Sequence, residues 1–185
     1  MRLFVLRHAE RAPDDPTFDS PLLPQGHTTA ATLAETLTTD PTYPAFTHLY
    51  TSPFLRCVQT VAPYCERLNL TSVLRVEPAL YEYMRADAGH DSRAWRRTWS
   101  IGTHPDLDAL IDPDYRPWWP LATLEYGESE AAMRARVTAF RVHLTNVHAP
   151  EDNVLMVSHL SAVNALLGRT DDATFPMGGV TELCD

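Results

Sequence analysis

The sequence has few cysteines, no long apolar run and fewer basic than acidic residues. Its three cysteines, Cys57, Cys65 and Cys184, are too few and too scattered for a disulfide framework or a zinc ribbon. No apolar run is long enough for a membrane span, and the N-terminal one is too short for the core of a signal peptide. Lys and Arg total 15 against 24 Asp and Glu, a formal net charge of −9. We therefore expect no binding to nucleic acid and no binding to membranes.

The composition fits one folded domain. Apolar residues make up 44% of the 185 positions and charged residues 21%, so the chain can bury a core and does not have the composition of a disordered protein. No internal repeat and no linker-like change of composition divides it. We therefore expect a single domain over residues 1–185 and a cytoplasmic location.

Short apolar runs alternate with helical patterns along most of the chain. Strands are predicted at residues 3–6, 48–51, 73–76 and 154–157. Helices are predicted at residues 26–37, after Ser52-Pro53, from Ser129 onwards and at residues 160–167, with Ser52 and Ser129 as N-caps. Pro63 is expected to kink or interrupt the second helix. The alternation predicts an α/β fold whose mainly parallel central sheet is flanked by helices on both faces.

Residues 85–127 break this alternation. The segment has no clean period and contains all four tryptophans, Trp95, Trp99, Trp118 and Trp119. We expect an irregular, Trp-rich excursion on the substrate side of the sheet, within the same domain. The tryptophans are expected to form the core of the excursion, although a role in lining the pocket stays open for at least one of them.

Polar residues follow the predicted strands at the points where ligands bind in parallel α/β sheets. Arg7 and His8 follow the first strand, Arg56 lies shortly after the second, and His159 follows the fourth. Carboxylates also lie near these points, at Glu10, Glu77 and Glu82. Guanidinium groups match phosphate oxygens, and an imidazole can act as a nucleophile or a proton donor near neutral pH. The set therefore indicates a site for a phosphoryl group.

A series of motifs at these positions resembles the histidine phosphatase superfamily, also called the phosphoglycerate-mutase-like superfamily. The matching blocks run in order through residues 6–11, 22–26, 52–60, 80–82, 127–129 and 154–159. The Arg-His-x-Glu-Arg pattern that begins at Arg7 is most similar to the phosphatase domains of the suppressors of T-cell receptor signalling. The resemblance spans nearly the whole chain.

The resemblance implies a phosphohistidine mechanism. His8 would attack phosphorus and carry the phosphoryl group, and Glu82 would protonate the leaving oxygen. The phosphoryl group would be held by Arg7, Arg11, Arg56 and His159. Neither a metal ion nor a cofactor is implied, since the arginines take the place of a metal. The expected partner is a phosphorylated small molecule or phosphopeptide, and a homodimer is possible.

Three residues depart from the family pattern. Ala9 replaces the signature glycine, which would strain the backbone by roughly 1 kcal/mol if its φ were positive. Pro24 replaces a threonine that usually caps the next helix. Leu160 stands where the acid-phosphatase branch has an aspartate proton donor, and this leaves Glu82 as the expected donor.

Alternatives to these assignments remain open at the level of the sequence. Rivals to Glu82 as the proton donor are Glu10, Glu77 and Glu128. The other six histidines are interpreted as surface or packing residues: His27, His48, His90, His104, His143 and His148.

Two other functions are considered beside phosphomonoester hydrolysis. The first is a catalytically weak member that binds phosphorylated ligands or a protein, which the substitution at Ala9 keeps open. The second is a phosphoglycerate-type mutase, for which the chain looks short. A mutase would need further basic residues near the mouth of the site, and Arg85, Arg93, Arg96 and Arg97 could serve.

Overall fold

The protein is described by a computed structural model over residues 1–15, 17–83, 99–124, 127–170 and 173–184. The strands are β1 (Arg2–Arg7), β2 (His48–Thr51), β3 (Leu74–Val76), β4 (Asn153–Ser158) and β5 (Val180–Glu182). The α-helices are α1 (Pro24–Thr39), α2 (Leu55–Arg67), the single turn α3 (Pro105–Asp108), α4 (Glu130–Val147) and α5 (Leu160–Leu166). Short 3₁₀ turns lie at Pro78–Leu80 and Leu121–Thr123. Within these described ranges, none of the helices has the length and apolar character needed to cross a membrane.

The strands form one five-stranded sheet in the order β3-β2-β4-β1-β5. The first four are parallel to their neighbours, and β5 runs antiparallel to β1 at the edge. The predicted α/β fold with a mainly parallel sheet is therefore confirmed. Strand β5 was not predicted, because residues 180–182 are short and half-buried and show no apolar alternation.

The two faces of the sheet are covered by different helices. In β1, Phe4 and Leu6 pack with α1 and α2, whereas Leu3 and Val5 pack with α4 and α5. Successive strand residues point to opposite faces, so a continuous apolar run serves two cores at once. This arrangement confirms the prediction of helices on both faces and brings the carboxyl ends of β1, β2 and β4 to one edge.

The helix starts were predicted with mixed success. Ser129 caps α4 as expected, because its hydroxyl accepts the backbone N–H of Ala132 at 3.1 Å. The prediction that Ser52 caps α2 is wrong, since α2 begins at Leu55 and the Ser52 hydroxyl is directed at another side chain. Pro63 lies inside α2, which continues to Arg67 without an interruption.

The described part of the Trp-rich excursion, residues 99–124, packs beside β3. The backbone N–H of Leu74 donates to Leu110 at 2.8 Å, and that of Asp112 donates to Leu74 at 2.9 Å. The expectation that the tryptophans form a core of the excursion itself is wrong for two of them. Trp99 is buried in the main core shared with α1 and α2, and Trp118 is exposed and stacks on His143 with the ring centroids 4.5 Å apart. Other residues of interest fall outside the described ranges, namely Arg85, His90, Arg93, Trp95, Arg96 and Arg97.

A buried carboxylate holds this excursion to the sheet. Glu77 follows β3 and is fully buried. Its oxygens accept hydrogen bonds from the Tyr115 hydroxyl at 2.6 Å and from three backbone N–H groups, those of Ala79, Trp118 and Trp119. A buried charge with this many donors stabilises one conformation of the segment.

Candidate active site

The carboxyl edge of the sheet brings four of the predicted site residues into contact. His8 follows β1 and His159 follows β4, and their ring centroids lie 5.2 Å apart. Arg56, in the first turn of α2, and Glu82, shortly after β3, contact His159. His8, Arg56 and His159 are all buried. Residues that are distant in sequence thus form one cluster where the strand ends meet.

The environment of His8 leaves one ring nitrogen available. Its Nδ1 lies 2.7 Å from the carbonyl oxygen of Ala9, so Nδ1 carries the proton and donates it, and Nε2 keeps its lone pair. Burial lowers the pKa of His8 well below its usual value, and the nearby His159 and Arg56 lower it further. His8 is therefore a neutral imidazole with a free Nε2, which is the state needed for nucleophilic attack.

The backbone at Ala9 tolerates its side chain. Positive φ values outside glycine occur, in the described ranges, at Asn69 and Ser72, so Ala9 carries no such strain. Its methyl group is buried with Leu22 and Ala30, and its backbone N–H donates to the Thr60 hydroxyl at 3.0 Å. The alanine therefore fills a small apolar contact without distorting the loop that follows β1.

The start of α1 approaches this loop closely. The expected loss of a side-chain cap is observed, but the N-cap residue is Leu23, and Pro24 is the first residue of α1 rather than its cap. The backbone N–H of Leu23 donates instead to the carbonyl of Glu10 at 2.9 Å. A Cβ at Gly26 would lie 2.2 Å from the same carbonyl oxygen, so only glycine fits there.

Arg56 provides a buried positive charge. Its Nη1 donates to the carbonyl of Thr17 at 2.9 Å, and its guanidinium lies 4.3 Å from the ring centroid of Phe54. Its Nη2 lies 3.4 Å from Oε2 of Glu82 and 3.3 Å from Nδ1 of His159. Its Nε is buried with no partner among the described residues. A guanidinium with an unpaired donor suits the oxygens of a phosphate.

His159 is held at both ring nitrogens. Its Nε2 lies 2.9 Å from the hydroxyl of Ser52, and its Nδ1 lies 3.1 Å from Oε2 of Glu82. Since Glu82 can only accept when ionised, Nδ1 carries the proton and Nε2 accepts from Ser52. Burial lowers the pKa of His159 to about 4, although Glu82 opposes the shift. Ser52 was not predicted as a site residue, although it directly follows β2 and so carries the same positional signal as His8 and His159.

Glu82 is ionised in the free site. Burial raises the pKa of this carboxyl, but its hydrogen bond and charge interaction with His159 and the charge of Arg56 outweigh the burial. The net result is a pKa well below the usual value. Glu82 therefore begins as a carboxylate, and a proton must reach it before it can act as a donor.

The other candidate carboxylates have different surroundings. Glu77 binds the excursion, and Glu128 pairs with the buried Arg136 at 2.5 Å. Glu10 lies in the loop after β1, where its Oε2 is buried with no partner among the described residues. Of the four candidates, Glu82 is the one in contact with both His159 and Arg56.

Arg7 and Arg11 lie near enough to the cluster for their charges to act on it, Arg7 on Glu82 and Arg11 on His159. A guanidinium N–H of Arg7 donates to the carbonyl of Phe175, and its Nε is buried with no partner in the described part of the chain. Burial lowers the pKa of Arg7, and the charge of Arg11 lowers it further. Arg11 itself donates to the carbonyls of Ala12 at 2.6 Å and Asp15 at 3.2 Å, within its own loop. Arg7 thus has a donor available for a ligand, whereas Arg11 would have to exchange its loop contacts for one.

The cluster also has the donor atoms for a metal ion. His8, Glu82 and His159 each offer one ligand atom, and these atoms lie within 4.8 Å of one another. Arg56, however, places a permanent positive charge 3.3 Å from Nδ1 of His159. Because Arg56 is fully buried and bound to Thr17 and Glu82, this charge cannot turn away, so it opposes a metal ion and favours an anion. The arrangement can hold a phosphate between neutral imidazoles and guanidinium groups.

The sequence of this chain is similar to those of known proteins. A model of the histidine phosphatase superfamily (branch 1) matches residues 3–178. The human ubiquitin-associated and SH3 domain-containing protein A is 35% identical over 121 residues, which cover 63% of this chain and 18% of that protein. Human protein B of the same name is 32% identical over 123 residues, covering 64% and 18%. The match therefore spans less than a fifth of the length of these relatives.

Solved structures share the fold at lower sequence identity. The ecdysone phosphate phosphatase from Bombix mori, solved with tungstate, is similar with a TM-score of 0.70 and 19% identity, over 98% of this chain and 88% of that one. A mycobacterial glucosyl-3-phosphoglycerate phosphatase has a TM-score of 0.62 and 22% identity, over 98% and 88%. At these identities the similarity concerns the fold.

Proposed function

The chain belongs to branch 1 of the histidine phosphatase superfamily, and from this premise we propose that it hydrolyses phosphate monoesters through a covalent phosphohistidine on His8. The family supports a phosphatase-type function in general terms. We propose in addition that the reaction passes through a covalent intermediate and that it needs no metal ion. The observation that carries it is the neutral, buried His8 with Nδ1 bound to a carbonyl and Nε2 free.

The first chemical step transfers the phosphoryl group to the enzyme. The lone pair of His8 Nε2 forms a bond to phosphorus while the bond from phosphorus to the ester oxygen breaks. Arg7 and Arg56 bind the phosphoryl oxygens with their permanent charges, and each has a buried Nε without a partner in the described residues. Phosphoryl transfer needs mostly positioning and charge stabilisation, which these groups can provide without a metal.

Glu82 provides the proton for the leaving oxygen. The free site holds Glu82 ionised, but a phosphate dianion placed beside Arg56 and His159 offsets the charges that lower its pKa. Substrate binding therefore raises the pKa of Glu82, and the carboxyl becomes protonated. It donates this proton to the ester oxygen as the bond to phosphorus breaks.

The second step releases phosphate. Glu82, now a carboxylate, accepts a proton from a water molecule that attacks phosphorus, and the bond from phosphorus to His8 Nε2 breaks. His8 returns to its neutral state with Nδ1 still bound to the Ala9 carbonyl. The two steps together consume one water, and Glu82 releases to solvent, as phosphate leaves, the proton that it took from solvent when the substrate bound.

The proposal is tested with an aryl phosphate in the presence of a chelator. We expect turnover by the wild-type protein and an acid-labile, alkali-stable phosphoryl label, both lost in His8→Ala. His27→Ala, at an exposed histidine on α1, is the matched control and should behave like the wild type. Undiminished turnover in His8→Ala would overturn the mechanism.

The substrate is proposed to be a phosphorylated small molecule or a phosphopeptide. Two structural neighbours are named as an ecdysone phosphate phosphatase and a glucosyl-3-phosphoglycerate phosphatase, which supports the small-molecule class. Ala9 fits without backbone strain, so the feature that kept a catalytically weak member open no longer favours it. A panel of phosphotyrosine peptides, sugar phosphates and nucleotides would rank the substrates by kcat/KM.

A further inference from the structure

A second cluster of ligating side chains lies at the opposite edge of the sheet from His8. His48 is the first residue of β2, and His148 and Asp152 lie between α4 and β4. We propose that His48, His148 and Asp152 form a binding site for a divalent transition metal of the Zn²⁺ class. The site is separate from the catalytic cluster, because it lies at the amino ends of the strands.

The two distances from Asp152 to the histidines fit tetrahedral coordination. Oδ2 of Asp152 lies 3.4 Å from Nε2 of His48 and 3.5 Å from Nδ1 of His148. The three residues can offer ligand atoms that lie within 4.8 Å of one another. In a tetrahedral zinc site with bonds of about 2.0–2.1 Å, neighbouring ligand atoms lie about 3.4 Å apart. Two imidazoles and one carboxylate are ligands that zinc commonly takes.

The ligands are held in place by their neighbours. Nε2 of His148 lies 3.0 Å from the hydroxyl of Tyr50. Asp152 accepts the backbone N–H of Ala149 at 2.9 Å and the hydroxyl of Thr47 at 3.2 Å. The Ala149 N–H donates to Oδ2, the oxygen that faces both histidines, whereas Tyr50 and Thr47 contact the outer atoms, Nε2 of His148 and Oδ1 of Asp152. Contacts to the outer atoms of ligands are typical of metal sites, where they fix the ligand orientation.

The cluster opens into a cavity that leaves a coordination position for water. The cavity has a volume of about 690 Å³ and is lined by all three ligands together with Tyr50 and His143. Three protein ligands and one open position are the pattern of an accessible zinc site rather than of a closed one. Metal can therefore enter and leave without unfolding.

Arg75 determines how readily the metal binds. In the metal-free protein its Nη1 donates to Nδ1 of His48 at 3.1 Å. A metal on Nε2 requires the proton of the ring to move to Nδ1, where it would face this guanidinium. Arg75 must then turn away, and Asp112, whose Oδ2 lies 3.8 Å from its Nε, provides an alternative partner. Replacing Arg75 by a residue whose side chain accepts a hydrogen bond from Nδ1–H of His48 should strengthen metal binding.

The test uses chelator-treated protein with Zn²⁺ in equilibrium dialysis and with Co²⁺ in visible absorption spectroscopy. We expect one metal ion per chain and the intense absorption of tetrahedral cobalt. His48→Gln and His148→Gln should each weaken binding at least about tenfold, because each removes one of three ligands. Arg75→Gln should strengthen it, a gain that a misfolded variant would not give.

Two controls separate this site from other histidines. His143→Gln, in the same cavity, should bind metal like the wild type, and so should His159→Gln in the catalytic cluster. Chelator treatment should leave phosphatase activity unchanged, so the two proposals can fail independently. The metal site is overturned if no ion binds, or if binding survives in His48→Gln and His148→Gln and is lost in His159→Gln.

Discussion

The hydroxyl of Ser52 lies 2.9 Å from Nε2 of His159, and both residues are fully buried. The other nitrogen of this ring, Nδ1, faces Glu82 at 3.1 Å. With both nitrogens engaged, one tautomer and one orientation of the ring are fixed. Ser52 therefore acts as a positioning residue for the histidine that faces His8.

Replacing Ser52 by alanine should lower kcat about tenfold, since a lost buried hydrogen bond costs on the order of 1–3 kcal/mol. The pH profile should also change, because Nε2 of His159 loses its donor. Ser20→Ala is the matched control, since Ser20 is buried and its hydroxyl has no partner in the described residues. Equal losses of kcat in Ser52→Ala and Ser20→Ala would indicate a packing effect.

Replacing Glu82 by glutamine should reduce hydrolysis of alkyl phosphates more than that of p-nitrophenyl phosphate. A poor leaving group needs the proton that Glu82 provides, whereas a good one leaves as an anion. The measurement is the ratio of kcat for the two substrates, with Glu66→Gln, an exposed glutamate on α2, as control. If both substrates slow equally in Glu82→Gln, another carboxylate is the donor.

Acidification should destabilise the protein through His159. Its folded pKa of about 4 lies below the value of 6.5 expected when unfolded, so its stabilising contribution is complete above pH 6.5 and is lost as the pH falls towards 4. A shift of this size corresponds to roughly 3 kcal/mol. Urea unfolding between pH 4 and pH 7 should therefore show a steeper loss of stability in the wild type than in His159→Gln. Parallel curves would contradict the assignment.

Replacing Gly26 by alanine should destabilise the protein by more than about 3 kcal/mol, because the new Cβ would lie 2.2 Å from a backbone oxygen of Glu10. Gly168→Ala is the control, since its Cβ would meet nothing within 4 Å and its φ of +66° adds strain of about 1 kcal/mol. Thermal unfolding compares the two. A smaller loss in Gly26→Ala than in Gly168→Ala would show that the loop after β1 can move away.

The sequence predicted most of the sheet, because the apolar runs of β1 and β4 are buried on both faces. The sequence also predicted that the residues after these strands lie close together, because the carboxyl ends of neighbouring parallel strands meet at one edge of the sheet. The convergence of His8, Arg56, Glu82 and His159 on one cluster agrees with that reasoning.

Local sequence patterns could not predict contacts between side chains that are distant in sequence. Ser52 followed by proline matches the pattern of a helix N-cap, but its partner His159 lies far along the chain and takes the hydroxyl instead. His48 was interpreted as a surface or packing residue because its neighbours in the structure are also distant in sequence. Its neighbours His148 and Asp152 are brought to it by the pairing of β2 with β4, which no local motif records.

The order of the strands has a consequence for how the protein is synthesised. β1 precedes both of its partners in the chain, β4 and β5, and Arg2 pairs with Asn153 about 150 residues later. Its apolar segment therefore stays unpaired while the residues between them are translated, a state in which chaperones and aggregation compete for it. His8 and His159 meet only when β4 joins β1 and β2. The proposed nucleophile His8 therefore meets its partner histidine in the same late event that joins β1 to β2.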